Sequence, residues 1–173
     1  AENDVLKYKV KIDELNGTTV LAQDNISTTS FVVPAGILLE NNSYRWQVQA
    51  ADAEFTTAYS ASRNFWVNAV EEAPTAVSLI APNPAATVNK NTAFSWAAAT
   101  DVDPFDTVTY RFEIAQDTSF AAPLITVNQS GLSSVALSSL PGSAALKAGE
   151  TYLWRVVAVD STGVGSGRNA DDQ

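Results

Sequence analysis

The 173-residue chain contains no cysteine, no histidine and no methionine. Without cysteine there is no disulfide framework, no thiol nucleophile and no thiolate metal site. Without histidine, a Ser-His-Asp arrangement is impossible however many serines are present. Missing cysteine does not exclude export, because a module with enough core can dispense with disulfides. Basic side chains are also few: 10 Lys and Arg stand against 19 Asp and Glu, a formal charge of −9. Lys7, Lys9 and Lys11 share one face of an extended segment, and no arginine adjoins them in sequence to widen the patch. Nucleic acid and anionic membrane surfaces are therefore excluded as expected partners, whereas divalent cations and neutral polymers fit the charge. No apolar run approaches the ~20 residues of a membrane span, so no membrane insertion is expected. "AENDVLKYKV" has neither the basic start nor the apolar core of a signal peptide. Glycines never form a G-x-G-x-x-G or Walker-type phosphate cradle.

What the chain does have is apolar alternation with a period of two, and this predicts an all-β fold. Leu6, Tyr8, Val10 and Ile12 line one face of "LKYKVKI". "TTVLAQ" and "TSFVVP" read as two shorter strands, and "SYRWQVQAAD" places Tyr44, Trp46, Val48 and Ala50 on one side. "NFWVNAV" at 64–70 closes this group. After Pro74, which suits a boundary better than a central strand, the pattern restarts. "AVSLIAP", "TAFSWAAA", "VTYRFEI", "PLITVN", "SSVALSSL" and "TYLWRVVAVD" follow in order. "GSAALKAGE" at 142–150, with glycines near both ends, predicts one helical turn at most.

The later group repeats the earlier one. Tyr44, Trp46, Val48, Ala50 and Asp52 match Tyr152, Trp154, Val156, Ala158 and Asp160 without a gap. The spacing of Asp4 and Tyr8 recurs in Asp106 and Tyr110, and Arg63–Asn64 recurs as Arg168–Asn169. Three blocks in the same order mark an internal repeat. Aromatics at alternate positions suit the inner faces of a two-sheet sandwich. Trp46, Trp96 and Trp154 are accordingly expected in the core.

"NTAFSWAAATDVDPFDTVTYRFEIAQD" and "ETYLWRVVAVDSTGVGS" resemble fibronectin type III-like domains of bacterial secreted and cell-surface proteins. The longer stretch is similar to a strand B with its tryptophan, an acidic turn and a Tyr-led strand C. The shorter one is similar to a Tyr-x-Trp strand F with an Asp-containing loop. The resemblance implies tandem immunoglobulin-like (fibronectin type III-like) β-sandwiches. Residues 1–73 would form a partial module with strands C to G, lacking strands A and B. Residues 74–173 would form a module with strands A to F, lacking strand G. Such a layout fits a fragment of a longer tandem array, or a chain whose missing strands come from identical neighbours.

"DVDPFD" gathers Asp101, Asp103 and Asp106 into six residues. Carboxylates held this close repel one another unless a cation or hydrogen bonds compensate, and calcium favours such hard oxygen ligands. The alternative is a solvated acidic turn, with Asp side chains accepting backbone N–H groups. Phe105 stands where the family has a small residue, and no glutamate closes an EF-hand loop. The recurrence of Asp52 and Asp160 points to turn acceptors rather than catalytic acids. Glu40 and Glu150 have no evident carboxylate partner for glycosidase chemistry, so an enzyme is not expected. Adjacent Phe65 and Trp66 must face opposite ways in a strand. Trp66 is thus a candidate contact for a ligand, such as a sugar ring, or for a neighbouring module.

The expected function is a non-catalytic extracellular or cell-surface spacer or adhesion module. Two alternatives remain open: a self-assembling fibre or surface-layer subunit completed by strand exchange, and a carbohydrate-binding accessory module of a polysaccharide-degrading enzyme.

Overall fold

A computed structural model describes residues 5–167 of the chain. Asp4 and the Arg168–Asn169 copy of the repeat lie outside the described residues. Among the described residues, apart from two single 3₁₀ turns, the regular structure is entirely β. The chain divides into two compact units, Ala1–Val70 and Glu71–Gln173.

The first unit contains one antiparallel sheet of β1 (Lys7–Glu14), β2 (Thr19–Ile26), β3 (Ser43–Ala51) and β4 (Arg63–Trp66). Its order is β2-β1-β3-β4. Gly17, at φ 99°, allows the tight turn between β1 and β2, where Asn16 Oδ1 accepts the Thr18 N–H at 2.8 Å. The register sets Tyr8 opposite Ala50, Val10 opposite Val48 and Ile12 opposite Trp46, so the apolar residues share one face. The lysine stripe faces the other way and does not act as a free basic patch. Lys9 pairs with Asp24 at 3.1 Å, and Lys11 with the buried Asp13 at 3.0 Å.

In the second unit, β5 (Leu79–Ala81), β6 (Ala93–Trp96) and β9 (Ser134–Ala136) form one sheet, ordered β5-β6-β9. β7 (Thr109–Ala115), β8 (Ile125–Ser130) and β10 (Leu153–Val159) form the other, ordered β10-β7-β8. Tyr110 lies opposite Ala158, Phe112 opposite Val156 and Ile114 opposite Trp154. The β1/β3 register of the first unit therefore recurs residue for residue. Here the apolar face is covered. Phe94 of β6 packs edge-on against Phe112 at 5.2 Å and Trp154 at 5.1 Å, and Trp96 packs against Tyr110 at 5.5 Å. Val77, Ile125, Val135, Leu140, Val156 and Ala158 complete a continuous core.

This contrast explains where the structure departs from expectation. "TSFVVP" forms no strand. It takes the place of β9 in chain order, and β9 pairs with β6, for which the first unit has no counterpart among its described residues. A strand without a ladder partner leaves its N–H and C=O groups to water. Trp46 is not core but 40% exposed. Its counterpart Trp154 is half-buried because Phe94 covers it, and the described first unit offers no residue in that position. The closing strand ends at Trp66 rather than Val70, because the Glu40 carboxylate accepts the N–H groups of Ala69 and Val70. "GSAALKAGE" forms the single turn Ser143–Ala145.

A further repeated device emerges that composition does not reveal. The Tyr44 hydroxyl accepts the Leu39 N–H, and the Tyr152 hydroxyl accepts the Lys147 N–H, each at 2.9 Å across five residues. Both loops place a left-handed residue three positions before the tyrosine, Asn41 at φ 57° and Gly149 at φ 83°. Tyr44→Phe and Tyr152→Phe should each lower unfolding stability by about 1 kcal/mol. Denaturant titration would measure this, and an unchanged midpoint in both variants would show that neither hydroxyl fastens its loop.

Candidate functional site

The densest chemistry lies at one end of the β7/β10 pair. Thr109 and Val159 are opposite each other, and Thr109 Oγ1 donates to the Val159 carbonyl at 3.1 Å. That closure sets the turn before β7 beside the loop after β10. Asp106 comes from the turn and Asp160 from the loop, and Glu71 joins them from the start of the second unit. One carboxylate oxygen from each of the three lies within 4.8 Å of the others.

Asp160 is 4% exposed. Its Oδ1 accepts the N–H groups of Thr162, Gly163 and Val164 at 2.7–2.9 Å, together with the Thr162 hydroxyl. Gly163, at φ 96°, lets the loop curl back over the carboxylate. Burial works to raise the pKa of Asp160, but these hydrogen bonds outweigh it and hold the group below the ordinary carboxylate range. The acid is thus held as an anion. Asp106 Oδ1 accepts the Ser161 hydroxyl at 2.6 Å. The Oδ2 atoms of Asp106 and Asp160 are both buried without a hydrogen-bond partner. Glu71 lies 3.0 Å from the same Thr162 hydroxyl and shares its single proton with Asp160. That bond favours its charged form, yet lost hydration and the charges of Asp106 and Asp103 prevail and raise its pKa.

Of the three carboxylates singled out in "DVDPFD", only Asp106 belongs to this group. Asp101 Oδ1 accepts the Asp103 N–H at 3.0 Å and so shapes the turn. Asp103, 5% exposed, accepts the Glu72 N–H at 2.7 Å. Phe105 adopts φ 72° with its ring 77% exposed, so the tight turn forms despite the bulky residue. In sequence, Glu71 falls just before the boundary marked by Pro74, and Asp160 reads as a turn acceptor. Asp160 is indeed a turn acceptor, and it also joins the cluster. The signal that finds both aspartates is the matched register of the repeated strands, which sets the residues flanking them side by side.

Elsewhere the expected residues fill structural roles. Asp52 Oδ1 accepts the N–H groups of Glu54 and Phe55 at 2.9 and 2.7 Å. Phe65 turns inward and stacks on Tyr44 at 5.7 Å, whereas Trp66 is 48% exposed. Trp66 pairs with Ser43 and Trp46 with Arg63, which puts the two tryptophans on opposite faces of the sheet. A hollow of about 450 Å³ in the second unit is lined by residues including Ala99, Val108, Tyr110 and Leu132, and Asp101 is its single carboxylate.

No family model and no curated protein matches the chain. Among solved structures it is similar to the chicken contactin FN1–FN3 domains, at 17% identity and a TM-score of 0.33. That match covers 96% of this chain and 57% of the other, so this chain spans little more than half of the contactin structure. It is also similar to the chicken interferon gamma receptor alpha chain, at 12% identity and a TM-score of 0.36, covering 96% of this chain and 83% of that one. The second unit sets the sheet β5-β6-β9 against the sheet β10-β7-β8, an all-β arrangement of the fibronectin type III-like kind.

Proposed function

We propose that the chain is a non-catalytic spacer or adhesion segment of a larger extracellular or cell-surface protein. The observation that carries this reading is the residue-for-residue register shared by β1/β3 and β7/β10. A repeated strand pair with a repeated tyrosine latch maintains a scaffold, whereas a reaction centre needs unlike groups converging once. Asp52, Asp101, Asp103 and Glu40 all serve as backbone acceptors. That use leaves them poor candidates for proton transfer.

A carbohydrate-binding role requires aromatic rings arrayed on one surface to stack on successive sugars. Trp46 and Trp66 point from opposite faces, which weighs against it. Affinity electrophoresis through gels containing soluble polysaccharides tests the choice. The chain should migrate unretarded. Retardation that Trp66→Ala abolishes would replace the spacer reading with a sugar-binding one.

Self-assembly with identical chains is the other reading, favoured by the uncovered Trp46 on the apolar face of the first sheet. Sedimentation velocity across a hundredfold range of concentration separates the two. A constant coefficient supports the spacer, and a rising one supports assembly.

A further inference from the structure

We propose that the second unit binds a divalent cation, calcium by preference, on the carboxylates of Glu71, Asp106 and Asp160. The three oxygens that converge within 4.8 Å come from three separated stretches of chain, brought together by the fold. Two buried atoms, Asp106 Oδ2 and Asp160 Oδ2, have no hydrogen-bond partner. Asp160 is the decisive residue. Four donors converge on its Oδ1, which fixes the carboxylate plane and leaves a 4%-exposed anion with one oxygen unsatisfied. A buried anionic oxygen without a donor is costly, and a cation removes that cost. It also offsets the mutual repulsion of three carboxylates held this close.

The ligand chemistry selects the metal class. All three groups are hard oxygens, and the chain has no histidine or cysteine to favour zinc or copper. Magnesium demands near-ideal octahedral geometry and keeps most of its water, whereas calcium tolerates irregular oxygen shells. Two fixed aspartates and one exposed glutamate on a separate segment suit the more tolerant ion, with water completing the shell on the exposed side. Asp103 acts as a positioning residue, because its carboxylate holds the Glu72 N–H next to Glu71. The cation would fasten the first residue of the second unit to the loops flanking β7 and β10.

The test is calorimetric titration of CaCl₂ into the chelator-treated full chain, with melting followed in parallel. One ion should bind per chain, with a Kd of about 10⁻⁴–10⁻³ M. At 10 mM calcium, the melting temperature of the second unit should rise by roughly 6–13 °C. Glu71→Gln and Asp106→Asn should each weaken binding about tenfold, since affinity follows ligand charge. In chelator neither variant should melt below the parent, because each removes a repelling charge. Glu54→Gln, in the first unit, should leave binding unchanged. Absence of both heat and a melting shift would overturn the proposal. Unaltered affinity in the Glu71→Gln/Asp106→Asn double variant would place the ion elsewhere and overturn it equally. A magnesium shift as large as that of calcium would overturn the preference for calcium.

Discussion

Phe112→Ala should destabilise the second unit by about 3–5 kcal/mol, the range for emptying a fully packed aromatic site. Phe112 is 0% exposed and lies where the two sheets meet. Its ring touches Phe94 at 5.2 Å, Trp154 at 5.9 Å and Trp96 at 6.2 Å, so truncation opens a cavity walled by rigid aromatics that cannot collapse into it. The same-residue contrast is Trp154→Ala against Trp46→Ala. These tryptophans occupy matching register positions, but among the described residues only Trp154 has a facing aromatic. Trp154→Ala should cost about 3 kcal/mol and Trp46→Ala about 1 kcal/mol. Equal losses in urea titrations would mean that the facing sheet contributes little to burial.

Arg155→Ala should cost about 3 kcal/mol for an electrostatic reason. Glu113 is 6% exposed and receives the Arg155 Nε at 2.6 Å. The same guanidinium lies 4.3 Å from the centre of the Phe120 ring. Deleting it leaves the buried carboxylate with Arg111, whose side chain is 43% exposed and 3.4 Å away. Solvent screening leaves that contact too weak to compensate. Replacing both partners, as in Glu113→Leu/Arg155→Met, removes the buried charge along with its counter-ion and should recover most of the loss. A cost below about 1 kcal/mol for Arg155→Ala, or a double variant no better than the single one, would refute this explanation of the pair.

Both predictions rest on a register legible in the sequence. Alternation in "VTYRFEI" and "TYLWRVVAVD", with its copy in "LKYKVKI" and "SYRWQVQAAD", is enough to assign strands and their inner faces. What alternation does not reveal is whether a face has a partner. Trp46 and Trp154 sit in nearly the same local sequence, yet their exposure differs because a separate sheet supplies Phe94 to only one of them. "TSFVVP" has strand composition, but a strand forms only where another accepts its ladder bonds. The acidic cluster is half legible. "DVDPFD" contains the turn that supplies Asp106, but proximity in sequence favours Asp101 and Asp103, which the backbone uses as acceptors. Glu71 and Asp160 stand 35 residues before and 54 residues after Asp106; the antiparallel closure of β7 on β10 brings Asp160 to Asp106, and the bond from the Glu72 N–H to Asp103 sets Glu71 beside them.

Native-state amide hydrogen exchange on the full chain tests most directly the claim that matched strand pairs are stabilised by unequal coverage. The ladder bonds of β1/β3 and β7/β10 share one register, so any difference in protection reports what packs against them. Amides of β7 and β10 should exchange more slowly than their counterparts in β1 and β3, by about tenfold for each 1.4 kcal/mol of extra stabilisation. Equal protection in the two pairs, or slower exchange in β1 and β3, would contradict the claim.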